Sequence, residues 1–171
     1  SALIKERNDY VFHTKSEIKD KIDYPLLGSI PFLTFINNEG DKNDNLEQSI
    51  TNKFQAFRDN ENNNYERFVY QESLRNLSTS LRFIGIDNSN PILLISSSIP
   101  GEGKTTSSIM IAQTLAETGF KVLLIDGDLR KPKLHKQLFL NNLIGLSNCL
   151  NDEVKFEDAL INFENNFDLL L

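Results

Sequence analysis

The stretch Ile92 to Thr106, Ile-Leu-Leu-Ile-Ser-Ser-Ser-Ile-Pro-Gly-Glu-Gly-Lys-Thr-Thr, constrains this chain more than any other. An unbroken apolar run stops at small residues, Gly101 and Gly103 bracket Glu102, and Lys104-Thr105-Thr106 open a helical pattern. A continuous rather than alternating apolar run predicts a parallel strand over Ile92 to Ser97, covered on both faces. Strand, glycine-containing turn, then Lys-Thr at a helix start is the order in which proteins hold nucleotide phosphates. The generic pattern has a further glycine five residues before Gly103, where this chain has Ser98. Gly101 and Gly103 still let backbone N–H groups turn toward an anion, because glycine reaches positive φ without a Cβ clash. The predicted phosphate cradle is therefore Gly101, Glu102, Gly103, Lys104, Thr105 and Thr106. Lys104 would set a point charge on the β/γ-phosphates of ATP, and the Thr105 hydroxyl would meet Mg²⁺.

The residues that follow make this half of a two-part site. Lys104 to about Glu117 has a helical pattern, with Gly119 at the position of a C-terminal cap. Lys121 to Asp126 is a second buried strand, so strand, helix and strand form a right-handed βαβ unit. Its strands end at one edge of the sheet, where open α/β folds bind ligands. Asp126-Gly127-Asp128 stands at that edge. By itself an Asp-x-Asp at a strand end also suits a capped turn. Facing a phosphate loop, Asp126 and Asp128 offer the hard oxygens a Mg²⁺ site needs, and a carboxylate able to take a proton from an attacking hydroxyl. Arg130, Lys131 and Lys133 follow directly and could stabilise phosphate charge or simply be solvated.

Elsewhere the pattern is helical or loop-like. Lys15 to Lys21 suits a short helix, and Pro25 and Pro31 keep the segment between them extended. Leu46, Ile50, Phe54 and Phe57 predict an amphipathic helix over 45–58. Tyr70, Leu74, Leu77, Leu81 and Ile84 make one apolar stripe on a helix over 65–85. Short helices are expected near Lys133 to Phe139, Leu146 to Leu150 and Phe156 to Phe163, and a third strand from Phe167 to Leu171. The formal charge of −6 over 171 residues argues against non-specific nucleic-acid binding. Cys149 is the sole cysteine, so no intrachain disulfide forms, as expected of a reducing compartment. No apolar run has the length of a membrane span.

At this point the residues resemble a family. Ser-Ser-Ser-Ile-Pro-Gly-Glu-Gly-Lys-Thr-Thr is similar to the Walker A element of bacterial tyrosine kinases (BY-kinases), the cytoplasmic domains of polysaccharide co-polymerases. Val122 to Pro132, Val-Leu-Leu-Ile-Asp-Gly-Asp-Leu-Arg-Lys-Pro, resembles their Walker A-prime. Lys133-Leu134-His135 and Gly145-Leu146-Ser147 follow the same pattern. Glu72-Ser-Leu-Arg75 resembles the Glu-x-x-Arg-x-x-Arg helix used for subunit contacts, with Ser78 at the second arginine's position and Arg82 a turn further on. Leu26-Leu27-Gly28-Ser29-Ile30-Pro31 resembles the segment joining the last membrane helix to the kinase domain.

The resemblance implies a P-loop NTPase-like α/β fold with a mostly parallel sheet flanked by helices. It divides the chain into a juxtamembrane linker-like segment, 1–44, and the N-terminal part of a kinase domain, 45–171. Walker B, with a further aspartate, and a tyrosine-rich tail are expected beyond Leu171. The implied activity is ATP-dependent protein-tyrosine autophosphorylation regulating surface polysaccharide polymerisation and export. Lys104, Asp126 and Asp128 are the implied catalytic residues, with Thr105, Asp126 and Asp128 around Mg²⁺. The implied partners are further copies of the chain through Glu72 and Arg75, the polysaccharide machinery and a tyrosine phosphatase, with no nucleic acid. The implied place is the cytoplasmic face of the inner membrane. Two other readings compete. A partitioning or positioning ATPase of the related deviant Walker class would carry a second lysine where this chain has Ile99. A non-catalytic assembly module would bind nucleotide weakly and transfer nothing.

Overall fold

The computed structural model describes residues 15–31, 64–86 and 91–171. The helix expected over 45–58 lies outside the described residues. Helix α1 is Lys15–Lys21, as its pattern suggested. Helix α2, Asn64–Leu81, buries Tyr70, Leu74 and Leu81 and half-buries Leu77, so the predicted stripe forms up to that point. It does not reach Ile84. The helix widens into a π-turn over Arg82–Ile86, with Gly85 at φ 114°. A π-turn advances more residues per turn than an α-helix, so the stripe rotates away and Ile84 faces solvent.

Helix α3, Lys104–Glu117, is the centre of the fold. One side, with Met110, Ile111 and Leu115, packs on α2; Leu27, Ile30, Ile95 and Phe120 close that cluster. The opposite side, with Ile109, Ala112 and Ala116, packs on the sheet through Phe167, Leu169 and Leu171. The alternation of bulky and small side chains on α3 lets both layers approach it. Gly119, at φ 96°, ends the helix as predicted: its N–H donates to the Ala116 carbonyl and that of Phe120 to Leu115.

The sheet has three described strands in the order β1-β3-β2: β1 is Val122–Ile125, β2 Ile161–Glu164 and β3 Phe167–Leu170. β1 and β3 are parallel, and β2 and β3 antiparallel. The sheet is therefore mixed where a mostly parallel one was expected. The source of the difference is β2, where the sequence pattern suggests the end of a helix over Phe156–Phe163. A short helix, Phe156–Ala159, ends before it, and Ile161-x-Phe163 alternates into a hairpin closed by Asn165 and Asn166, the latter at φ 61°. Asparagine tolerates that left-handed conformation, so Asn-Asn between two alternating runs is a hairpin signal. Phe163 meets Phe167 edge to face at 5.5 Å.

The expected strand over Ile92–Ser97 does not form among the described residues. The segment is without a ladder, and Ile92 and Leu94 are 97% and 88% exposed. Of this segment, Ile95 is the residue that packs against the described α2–α3 cluster. An apolar run supplies the faces of a strand but not its hydrogen-bond partner, and no described strand lies beside this one. Helices α4, Leu134–Leu138, and α5, Leu146–Leu150, lie where the pattern placed them. Gly145, before α5, is closely approached by Leu171, whose carbonyl accepts the Leu146 N–H. A Cβ at Gly145 would overlap that carbonyl, so this position admits only glycine. Part of the linker-like segment belongs to the core, since Leu27 and Ile30 pack there and Gly28 lies against Leu77.

Candidate phosphate site

The site is assembled at the carboxyl end of β1 and the amino end of α3. The loop before α3 has Gly101 at φ 90° and Gly103 at φ 84°, both in the left-handed region that glycine permits. Gly103 is the residue before the first turn of α3 and provides no side-chain cap. The first-turn N–H groups of a helix have no intrahelical acceptor and carry the positive end of its dipole. No serine or aspartate side chain caps that end. Lys104, Thr105 and Thr106 are the first residues of α3 and are partly exposed.

The second loop leaves β1 at Asp126, whose N–H still donates to Leu170 at 2.9 Å. The ladder thus fixes this residue's backbone. Its carboxylate turns back on the loop it begins. Oδ1 accepts the Asp128 N–H at 3.2 Å, and Oδ2 accepts those of Lys133 and Leu134 at 3.1 and 3.0 Å. Asp126 therefore caps the start of α4 from across the loop. Asp128 accepts the Lys131 N–H at 3.1 Å and is exposed. Helix α4 touches both parts of the site: Asp126 holds its first turn, and Gln137 Nε2 donates to Thr106 Oγ1, in the first turn of α3, at 3.4 Å. The predicted residues Thr106 and Asp126 thus meet one short helix.

Two features escaped the sequence reading. Gln137 is one, since nothing marks a glutamine on a short helix as a bridge. The other is the use of the Glu102 side chain, which folds back onto Ser98. Its signal was available: a serine and a glutamate flanking a Pro-Gly turn. His135, next to the bridge, is half-buried, and its Nδ1 has no hydrogen-bond partner among the described residues.

On α2, Glu72 and Arg75 pair with each other at 2.9 Å on the exposed face. Ser78 is 5% exposed, and its hydroxyl has no hydrogen-bond partner among the described residues. The helix turns this position into the core, where an arginine would leave a buried charge. Arg82 lies outside, with its guanidinium 5.4 Å from the centre of the Phe120 ring.

Among the described residues no three His, Cys, Asp or Glu side chains gather into a metal cage. The chemistry of the donors nevertheless suits Mg²⁺, which keeps waters and takes only one or two carboxylates beside phosphate oxygens. Each Asp126 oxygen is held by backbone N–H groups in a fixed direction, and Oδ1 accepts only one of them.

A phosphate loop before the central helix, an aspartate loop at the neighbouring strand end and a mixed α/β sheet define a P-loop NTPase-like fold. Residues 93–164 match the family model for the CobQ/CobB/MinD/ParA nucleotide binding domain. Within that class the chain is similar to bacterial tyrosine kinases. It is 40% identical over 89 residues to the tyrosine-protein kinase YwqD of Bacillus subtilis, covering 52% of this chain and 38% of that protein. It is 41% identical over 90 residues to the putative tyrosine-protein kinase AmsA of Erwinia amylovora, covering 53% of this chain and 12% of that one. The solved kinase domain of the Escherichia coli tyrosine kinase ETK superposes with a TM-score of 0.66 at 26% identity, over 85% of this chain and 55% of that one. The chain thus spans less than half the length of these two curated relatives. No helix among the described residues is long and apolar enough to cross a membrane.

Proposed function

We propose that this chain is part of an ATP-dependent protein-tyrosine autokinase that regulates surface polysaccharide polymerisation and export. The observation that carries the reading is that α4 contacts both parts of the site, the Asp126 loop through Leu134 and the first turn of α3 through Gln137 and Thr106. A phosphate cradle and a pair of carboxylates tied to one helix suit phosphoryl transfer, in which catalysis is mostly positioning and charge neutralisation. The names of the matched relatives support a kinase over a partitioning ATPase, as does Ile99 in place of a second lysine.

The backbone of 101–106 cradles the phosphates, and Lys104 carries the positive charge toward them. Thr105, Asp126 and Asp128 would hold Mg²⁺, which when bound neutralises phosphate charge. The γ-phosphoryl passes in line to a tyrosine oxygen: the bond to the β-phosphate's bridging oxygen breaks, and one to the phenolic oxygen forms. Asp128 takes the phenolic proton, because Asp126 is committed to three backbone N–H groups. The acceptor tyrosine belongs to another copy of the protein. Contacts between copies run through the Glu72–Arg75 face of α2. The protein works with polysaccharide machinery and a tyrosine phosphatase at the cytoplasmic face of the membrane.

Lys104→Met in the full-length protein tests this. One charge-assisted hydrogen bond is worth about 1.5–3 kcal/mol, so nucleotide binding should weaken about tenfold or more. Phosphotyrosine should vanish from immunoblots. Phosphotyrosine at the wild-type level would sink the assignment, and ATP hydrolysis stimulated by DNA or lipid without phosphotyrosine would favour the partitioning ATPase.

A further inference from the structure

The phosphate loop carries an internal contact that its binding role does not require. The Glu102 carboxylate reaches back over the Pro-Gly turn to the residue that stands in place of the generic pattern's first glycine. Its Oε2 accepts the Ser98 N–H at 3.0 Å and the Ile99 N–H at 3.3 Å. The Ser98 hydroxyl lies 3.1 and 3.2 Å from its two oxygens. Just before, Ser97 Oγ donates to the Ile99 carbonyl at 3.0 Å.

We propose that Glu102 is a positioning residue: with Ser98 it forms a clasp that closes the phosphate loop before nucleotide arrives. The inference rests on the nucleotide-binding reading of the loop and concerns what keeps it in shape. Three observations carry it. First, the clasp takes N–H groups only from the loop's entry, Ser98 and Ile99, and Pro100 has none to give. None of the N–H groups from Gly101 to Thr106 is used by it. Second, the loop has little else to order it. Among the described residues, a Cβ at Gly101 or Gly103 would meet nothing within 4 Å, so nothing packs on that side of these two left-handed residues. Third, among the described residues the preceding segment has no ladder and meets the core through Ile95, three residues before Ser98, so it constrains the loop only loosely. A loop ordered in advance loses less conformational freedom on binding, which raises affinity without any new contact to the ligand.

The clasp makes a prediction of unusual sign. A carboxylate beside a triphosphate repels it, so on charge alone Glu102→Ala should tighten nucleotide binding. If the clasp orders the loop, Glu102→Ala weakens binding instead, by about three- to tenfold, a loss expected of exposed charge-assisted hydrogen bonds. Titration calorimetry of the intact protein with Mg-ADP reads this directly. Glu102→Gln keeps one acceptor oxygen and should recover part of the loss. Ser98→Ala, which keeps the two backbone donors and loses only the hydroxyl contact, should weaken wild-type binding slightly and do nothing further in the Glu102→Ala background, where that hydroxyl has already lost its acceptor. In kinetics, Glu102→Ala should raise KM for ATP and leave kcat at saturation nearly unchanged. Binding by Glu102→Ala as tight as wild type or tighter overturns the clasp, as do additive effects of the two substitutions. The outcomes separate it from the nucleotide reading. Lys104-dependent binding that ignores Glu102 removes only the clasp. A wild-type protein that binds no Mg-ADP removes both.

Discussion

Ile92–Ser97 and Phe167–Leu170 are both apolar runs that the sequence presents as buried strands, and they end differently. Phe167 and Leu169 are fully buried, with β1 on one side and β2 on the other. Ile92 and Leu94 are almost fully exposed, and only Ile95 reaches the core. Composition does not separate them. What separates them is a neighbour: β3 is flanked by a hairpin partner two residues away and by a parallel strand that α3 delivers to its other side. The first segment has no described strand beside it. A strand is thus a property of a pair, and a single run shows only that the pair would be stable.

The largest test of this contrast is a pair of truncations. Phe167→Ala removes a fully buried ring that packs edge to face on Phe163 and should cost about 3–5 kcal/mol in urea unfolding. Leu94→Ala removes a side chain facing solvent and should change stability by no more than about 0.5 kcal/mol. A loss at Leu94 approaching that at Phe167 would break the comparison, because it would mean that the segment is covered in solution.

The same contrast explains what was legible in the sequence. Elements that depend on local chemistry were readable. Helix α3 begins at Lys104 and ends at Glu117 with Gly119 in the left-handed region, because cap and periodicity lie in adjacent residues. The candidate site was readable in the same way, as a glycine-bearing turn and an Asp-x-Asp at a strand end. Features that depend on distant partners were not. Ile84 was lost from its stripe because Gly85 and the π-turn change the helical phase. Strand β2 was hidden because Phe156–Phe163 suits a helix until Phe167 pairs with Glu164. The double use of Asp126, as candidate metal ligand and as cap of α4, appears only when Lys133 and Leu134 are folded back upon it.

That double use gives an intermediate prediction, on the side of the comparison where a strand is firmly held. Asp126→Ala deprives three backbone N–H groups of their acceptor and should cost about 1–2 kcal/mol, the size of a lost helix cap. Asp126→Asn keeps one acceptor oxygen and should cost less. If the two are equally stable as wild type, the loop is held by something other than its carboxylate, and Asp126 is free to act on a ligand alone. Urea midpoints of the three proteins decide it.

The smallest effect probes the one anchor of the exposed segment. Tyr70 sits in the cluster that Ile95 joins, and burial pushes its phenol from 10.0 up to about 12. Burial penalises the charged form, so the folded chain keeps the proton to higher pH than the unfolded chain does. Below about pH 10 both states are protonated and Tyr70 contributes no pH dependence. Between about 10 and 12 the unfolded chain releases a proton that the folded chain retains, and stability falls as pH rises. Tyr70→Phe removes this component while keeping the ring. Urea midpoints near pH 9 and near pH 11 should therefore drop further for wild type than for Tyr70→Phe, by a margin that shrinks in an Ile95→Ala background as water reaches the phenol. An unchanged margin would mean that Ile95 does not shield Tyr70, and that the segment before the phosphate loop is not anchored to the core even at its one contact.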